Sequence, residues 1–418
     1  MLRFLTAGES HGKALVVVVE GLPAGLPVTV ADVQAELARR RLGYGRGPRM
    51  RFEQDEVTLV GGVRHGRTLG SPVAIEIANS EWDRGKWNEE MSPAPGATAS
   101  PLTTPRPGHA DLAGMQKYGF TDARDVLERA SARETAARVA AGALAKLLLG
   151  HLGIAIGSHV VALGDVRASA AHRPGPDQLL AVDGSEVRCT DPGAADAMVE
   201  AIKAAAKAGD SLGGVVEVLA YGAPVGLGSH VHWDRKLDSR LAGALMSIQA
   251  VKGVEIGDGF AVAGRPGSEA HDAITWDAEA GAYRRTTTNA GGIEGGMSTG
   301  EVIVAHVAMK PLATLNRPVL GTVDTATKAE TVSFKERTDV TAVPAMGVVA
   351  ETMTALVLAD EATRKFGGDS LAELVRNAEA YRADVAERAR RLGEHVEGAD
   401  GLNWRADEAF GDGDEGPA

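Results

Sequence analysis

Two glycine-flanked histidines are the side chains in this chain best suited to moving protons. One lies in Gly8-Glu9-Ser10-His11-Gly12, directly after a short strand-like entry over residues 2–7. The other lies in Arg106-Pro107-Gly108-His109-Ala110-Asp111. Histidine ionises nearer neutrality than any other side chain, and neighbouring glycines let the backbone turn sharply and approach a ligand. Either histidine alone is more often a surface or structurally hydrogen-bonded residue, so the remaining chemistry has to decide.

That chemistry is anion binding. Arg39, Arg40, Arg41, Arg46, Arg49 and Arg51 crowd around a Gly43-Tyr44-Gly45 turn. The planar guanidinium fork matches phosphate and carboxylate. The cluster is either a solvated helix end with its loop or a mobile anion clamp. Arg129-Ala130-Ser131-Ala132-Arg133-Glu134 places a Ser cap and two arginines at a helix start. This is either an ordinary capping box or a phosphate site at a helix N-terminus. Glycine-rich or turn-rich patches recur at 209–214, 250–257, 289–298 and 310–314. None has the spacing of a P-loop or of a dinucleotide fingerprint. Together they point to a large ligand wrapped by backbone amides. Arg337-Thr338-Asp339 precedes a helix, so Asp339 is either a cap or a candidate general base.

These residues need a scaffold. Strands are expected at 15–20, 57–63, 73–78, 154–162, 215–220, 254–257 and 301–307. Helices are expected at 29–41, 131–149, 194–208, 234–248, 344–366 and 370–395. Thr29 and Asp32 have capping-box spacing, and arginines crowd the end of that helix, where its dipole favours cations. The helix opening at Ser131 is apolar nearly all round, as a central buried helix would be. Residues 79–108 form a long Pro-rich stretch carrying Trp82 and Trp87, and a loop of that length in a compact protein is functional or mobile. Strands and helices interleave without a strict βαβ rhythm, so an α+β fold is expected.

Composition narrows the function classes. With 44% apolar and 24% charged residues the chain reads as a soluble globular protein. Its net charge of −12 argues against a general nucleic-acid binder, so anions must be held by local arginine clusters. Cys189 is the single cysteine, which rules out an intramolecular disulfide or a cysteine-based metal cluster and fits a reducing cytoplasm. No signal peptide is read at the N-terminus, and the apolar run 14–19 is too short to span a membrane. From Glu397 onward acidic residues dominate. Length alone suggests two or three domains, and 397–418 is read as an acidic tail with the profile of disorder.

The motifs in this order resemble the chorismate synthase family over residues 1 to about 392. The resemblance rests on the two histidine motifs, the Ser-Ala-Arg-Glu-Thr run at 131–135, Ser247-Ile248-Gln249-Ala250-Val251-Lys252-Gly253-Val254-Glu255, the Gly291-Gly292 through Ser298 segment, and Arg337-x-Asp339. The family's frequent His-Asp-Pro-Cys is Thr338-Asp339-Val340-Thr341 here, so any role of that histidine or cysteine is absent while the aspartate is kept.

The resemblance implies a β-α-β sandwich of two antiparallel sheets around a helical layer, assembled as a homotetramer, with residues 1–396 as one catalytic domain against the expectation from length. It implies conversion of 5-enolpyruvylshikimate-3-phosphate to chorismate by 1,4-anti elimination of phosphate and the C6 hydrogen. This is the last common step of the shikimate pathway to the aromatic amino acids. The reaction depends on reduced FMN, with NADPH as a candidate reductant, or a separate flavin reductase, and without a metal. Carried over by motif, His109 assists the departing phosphate and His11 protonates the flavin. Asp339 helps the flavin take the C6 proton, and Ser10 and Ser131 support them. Flavin contacts map onto Arg129, Ala130, Ser131, Gln249, Ala250, Gly295, Lys310, Pro311, Leu312, Ala313, Thr314 and Arg337. Arg40, Arg46, Arg49, Arg106 and Arg133 are expected to hold the substrate's phosphate and two carboxylates, with Arg40 and Arg46 also matching NADP-contacting positions. A serine hydrolase and an arginine-based RNA-binding module are the competing classes. The first is disfavoured because the Ser10 loop lacks the strand-to-helix setting of a nucleophile elbow, the second by the net charge.

Overall fold

A computed structural model describes residues 1–47, 53–83, 86–95, 100–334 and 339–391. The chain opens with β1 (Arg3–Ala7) and β2 (Ala14–Glu20), followed by α1 (Val30–Arg41), β3 (Val57–Gly61) and β4 (Val73–Ala78). The strands form a four-stranded antiparallel sheet in the order β1-β2-β4-β3. Alternation decides its faces: Leu15, Val17 and Val19 on β2 and Val73, Ile75 and Ile77 on β4 are fully buried. Thr29 caps α1 in a reciprocal capping box with Asp32, as its spacing predicts.

Two short helices, α2 (Asp111–Tyr118) and α3 (Arg124–Ala130), lead into a single 3₁₀ turn and then α4 (Thr135–His151). The second sheet takes β5 (Ala155–Leu163), β6 (Val166–Arg167), β7 (Gly214–Tyr221), β8 (Val251–Ile256) and β9 (Ile303–Met309). It is antiparallel throughout in the order β8-β9-β7-β5-β6. The remaining long helices are α5 (Pro192–Ala208), α6 (Leu237–Met246), α7 (Val343–Phe366) and α8 (Leu371–Arg391). The architecture is α+β, as expected.

α4 is the buried helix the sequence predicts. It packs on β1, β2 and β4 of the first sheet, on β5 of the second, and on α1 and α7. α7 packs in turn on β5, β7 and β9. The two central helices cross at Gly142, where an added Cβ would lie 2.2 Å from Thr352 Cβ. Only a hydrogen on that Cα allows the approach. α7 is apolar and long enough to cross a membrane by composition, yet its apolar window is entirely buried inside the protein. Its interior charges are paired: Glu351 accepts hydrogen bonds from Arg39, Lys146, Arg188 and Ser158.

Two sequence expectations are corrected by these contacts. Arg39 is not part of an anion clamp, because Glu351, Glu36 and Asp183 hold its guanidinium inside the fold. Ser131 and Glu134 do not close a capping box. Ser131 Oγ accepts from Arg133 N–H, while the Glu134 carboxylate is taken by Thr6, Arg138 and Gln249.

Candidate active site

The residues singled out above come from distant segments, and the fold gathers many of them around one cavity of about 460 Å³. Ser10 and His11 enter from the turn between β1 and β2. Gly8 makes that turn possible: its φ is +98°, and a Cβ there would lie 2.3 Å from the Ala14 carbonyl oxygen. The setting is strand–turn–strand, not the strand-to-helix elbow of a serine hydrolase. Ser10 Oγ instead accepts a hydrogen bond from Ser131 Oγ at 3.2 Å.

His11 is held on three sides. Its backbone N–H donates to Glu128 Oε2 at 2.9 Å, and its Nδ1 lies 2.9 Å from Glu128 Oε1. Nε2 lies 3.5 Å from Glu81. The Trp87 indole stacks on the ring with 3.7 Å between centroids. Glu128 is buried, which opposes ionisation, but its bonds to His11 and the charges of His11 and Arg124 hold the carboxyl below its ordinary range.

His109 has a similar neighbour. Its Nδ1 donates to Asp111 Oδ1, and Asp111 Oδ2 accepts from Arg106 Nε at 2.9 Å. Asp111 is fully buried, which favours the neutral acid, yet the hydrogen bonds and charges of His109 and Arg106 hold it far below the usual carboxylate range. Arg106 also reaches Thr314 Oγ1 at 3.1 Å and so ties the histidine loop to the 310–314 turn. Lys310 does not line the cavity; its Nζ donates to the Gly108 carbonyl and braces the same loop.

Asp339 enters from the segment before α7. Its Oδ2 lies 3.3 Å from Arg46 Nε, and its Oδ1 accepts from Gly47 N–H at 2.5 Å. Arg40 is buried beside it and donates to Thr135 Oγ1 and the Ala132 carbonyl, both at 2.9 Å. Burial pushes its pKa down to about 10, with Asp55 opposing and Arg133 and Arg46 adding to the shift. Its Nη1 has no hydrogen-bond partner among the described residues. Gln249 is similar. Its Nε2 must face the acceptor-only carboxylate of Glu134, at 2.9 Å, which leaves the buried Oε1 without a donor among the described residues. A buried cationic N–H and a buried amide oxygen in the wall of one cavity are costly unless a ligand meets them.

The cavity therefore brings together Ser10, His11, His109, Ser131, Asp339, Gln249, Leu312, Ala313 and Thr314 with Arg40, Arg46, Arg106 and Arg133. Arg133 is committed to the scaffold as well, through Asn79 Oδ1 at 2.9 Å and Asp55. Arg129, Ala130, Ala250, Pro311 and Gly295 are not among its lining residues. Arg129 donates to the carbonyls of Thr6 and Gly8 and braces the His11 turn. Ala250 follows Gln249 with φ at 66°, a left-handed conformation that an L-residue adopts only under constraint. Gly295 sits in the tight turn between the short strands Ile293–Glu294 and Met297–Ser298. Arg49 and Arg337 lie outside the described residues. Sequence reading did not find Glu128, Glu81, Arg124 or Lys86, and it noted Trp87 without a role. Asp111 stood inside the second histidine motif, an acid two residues after the histidine, and was the one readable signal.

Comparison with known proteins covers most of the chain. The family profile described as chorismate synthase matches residues 2–363. The chorismate synthase of Micrococcus luteus is 61% identical over 394 residues, which cover 92% of this chain and 95% of that protein. That of Thermobifida fusca is 59% identical over 391 residues, covering 91% of this chain and 98% of that protein. A crystal structure of a chorismate synthase superposes with a TM-score of 0.73 at 41% identity, over 92% of this chain and 98% of that one.

Proposed function

The chain belongs to the chorismate synthase family, lyases that form chorismate from 5-enolpyruvylshikimate-3-phosphate, and from that premise we propose how its own residues carry the elimination. One observation carries the reading. His11, His109, Asp339 and the arginines 40, 46 and 106, drawn from four separate segments, line a single cavity.

The substrate brings one phosphate and two carboxylates, and the cavity answers with guanidinium groups. Arg40 offers a buried N–H that no described residue takes up. Arg40 and Arg46 lie in the same cavity as His109, which favours their reading as substrate contacts over NADP contacts. His109 delivers a proton to the leaving phosphate from Nε2, the nitrogen that Asp111 does not occupy. Asp339 accepts a proton. Both its described contacts, Arg46 and Gly47 N–H, are donors, so it stands as an acceptor on both oxygens.

The residues fit a flavin. Gln249 Oε1 provides an unmet acceptor, Ile248, Met309 and Leu312 an apolar wall, and Ala313 and Thr314 further lining from the 310–314 turn. Reduced FMN bound there supplies electron density that assists cleavage of the C–O bond to phosphate. His11 holds a proton in the same cavity. NADPH or a separate flavin reductase is the source of reducing equivalents in this reading.

The expected sandwich is supported by α4, which touches strands of both sheets, and by α7, which backs the second. The homotetramer is carried over from the family. Residues 1–396 act as the catalytic domain. A cytoplasmic location is supported by the lone, buried Cys189, whose thiol burial pushes up and so makes less reactive.

The test uses purified protein under anaerobic conditions with 5-enolpyruvylshikimate-3-phosphate. Chorismate should form with reduced FMN, accompanied by a transient flavin absorbance change. Turnover with oxidised FMN and no reductant would overturn the reading.

A further inference from the structure

We propose that Glu128 and Asp111 are paired positioning residues that fix which nitrogen of His11 and of His109 keeps its proton. The proposal rests on the reading of both histidines as proton donors. It comes from a likeness between two unrelated segments. In each, a buried carboxylate meets the histidine at Nδ1 and is itself gripped by an arginine. Glu128 comes from α3, is 2% exposed, and accepts from Arg124 Nη1 at 3.0 Å. Asp111 opens α2, is 0% exposed, and accepts from both Arg106 Nε and Arg106 N–H.

An ionised carboxylate accepts and cannot donate. Nδ1 of each histidine therefore carries hydrogen toward its carboxylate, at His109 against the competing donor Arg106 Nη2, 3.1 Å from Nδ1 and 3.4 Å from Nε2, and Nε2 is the atom whose proton leaves or arrives. A carboxylate at Nδ1 also stabilises the imidazolium, the form an acid must hold before reaction. The other charged groups at these rings act on the same balance. Around His11 the charged group is Glu81, with Lys86 over the far partner of its stack, the Trp87 ring, and paired to Glu90. Around His109 they are the Arg106 guanidinium, with Nη2 3.1 Å from Nδ1, and Lys310 at the Gly108 carbonyl. The Trp87 stack fixes the plane of the His11 ring, and the contacts of its Nδ1 to both Glu128 oxygens, 2.9 and 3.0 Å, fix its rotation.

Glu128→Gln and Asp111→Asn keep size and remove charge. Each should lower kcat about ten- to a hundred-fold, the range known for loss of the outer partner of a metal-bound histidine, with KM for the substrate within a few-fold. The alkaline limb of kcat, where the acid has lost its proton, should move to lower pH. Imidazole ¹⁵N spectra of the ligand-free protein supply a readout independent of turnover. At alkaline pH, wild-type His11 should carry its hydrogen on Nδ1, and Glu128→Gln should shift it toward Nε2. If Glu128→Gln yields little folded protein, Glu128→Asp keeps the charge and should retain the wild-type tautomer and pH limb despite a lower kcat. Unchanged tautomer and pH limb in folded Glu128→Gln and Asp111→Asn overturn the proposal while leaving the histidines as acids. A tautomer that shifts with no change in kcat overturns the reading of the histidines as acids and the proposal with it.

Discussion

Arg46 and Asp339 face each other across the cavity wall, Nε to Oδ2 at 3.3 Å, although they lie at opposite ends of the chain. The neighbouring Gly47 N–H occupies the other carboxylate oxygen. Asp339→Asn is nearly isosteric and cannot take a proton. Substrate and FMN binding should stay within a few-fold of wild type while kcat falls ~10²-fold or more. The deuterium isotope effect for substrate labelled at C6 should rise, because proton removal limits the rate more fully. A preserved kcat with a raised KM would reduce Asp339 to a positioning residue.

His11→Ala and His109→Ala should each lower turnover by ~10²-fold or more, the usual yield of a general acid. Both residues lie in turns outside the hydrophobic core, so the fold should be kept, but each partners a buried carboxylate, Glu128 or Asp111, so melting temperature should fall. Near-full turnover at saturating substrate in either variant would remove that histidine from the proton path.

The parts of this site that were legible in the sequence are those encoded locally. Glycine beside histidine marks both loops, and alternation marks β4 to the residue. What was not legible depends on contacts made far along the chain. Glu128 meets His11 across 117 residues, and Arg39 finds Glu351 across 312. No local pattern separates such a buried ion pair from a solvated helix end. The hairpin Ile274–Asp277 with Ala282–Arg285 was missed because it buries neither face and so lacks alternation. The 3₁₀ turn at Ala132–Glu134 was read as a capping box because Ser131 and Glu134 have the spacing, but three donors outside that turn claim the glutamate.

The acidic segment after Val396 lies outside the described residues. Its composition is acidic and poor in apolar residues. Truncation after Val396 should leave kcat and melting temperature nearly unchanged. A clear loss of either would show that the segment docks, with Trp404 and Phe410 as its anchors.

Glu351 is the anion at the centre of a buried cluster in α7. Burial opposes its ionisation, but Lys146, Arg39 and Arg188 hold its carboxyl far below the ordinary range. Glu351→Gln leaves those cations facing an amide, and breaking one side of a buried pair costs about 3–5 kcal/mol. Glu36 and Asp183 still share Arg39, Lys146 and Arg188, which places the expected loss near the lower end of that range. The urea midpoint should fall at unchanged slope. A midpoint within error of wild type would mean that Glu36 and Asp183 suffice.

His306 gives the fold a dependence on pH with a definite sign. It stands opposite Glu217 in the β7–β9 register, and His159 stands opposite Glu217 from β5. Its Nε2 lies 3.1 Å from Glu217 Oε1 and its Nδ1 3.1 Å from the Gly257 carbonyl. Both ring nitrogens face acceptors, so the network is complete only when the ring is protonated. Burial pulls its pKa down, but the hydrogen bond and charge of Glu217 and the Gly257 carbonyl outweigh this and raise it above the ordinary value. A raised folded pKa contributes stability in full below the unfolded value, about 6.5, and loses it as pH climbs through the folded value. Glu217 works in the opposite sense. Burial opposes its charge, but His159, His306 and Arg173 hold its carboxyl far below normal. Its contribution is full above about pH 4.3 and fades as the solution becomes more acidic. Melting temperature should therefore peak between those limits and decline from about pH 6.5 toward pH 9. His306→Gln keeps a donor for Glu217 but cannot titrate. It should lower the melting temperature at pH 6 and flatten the decline above it. The same alkaline slope in His306→Gln as in wild type would show that another group sets it.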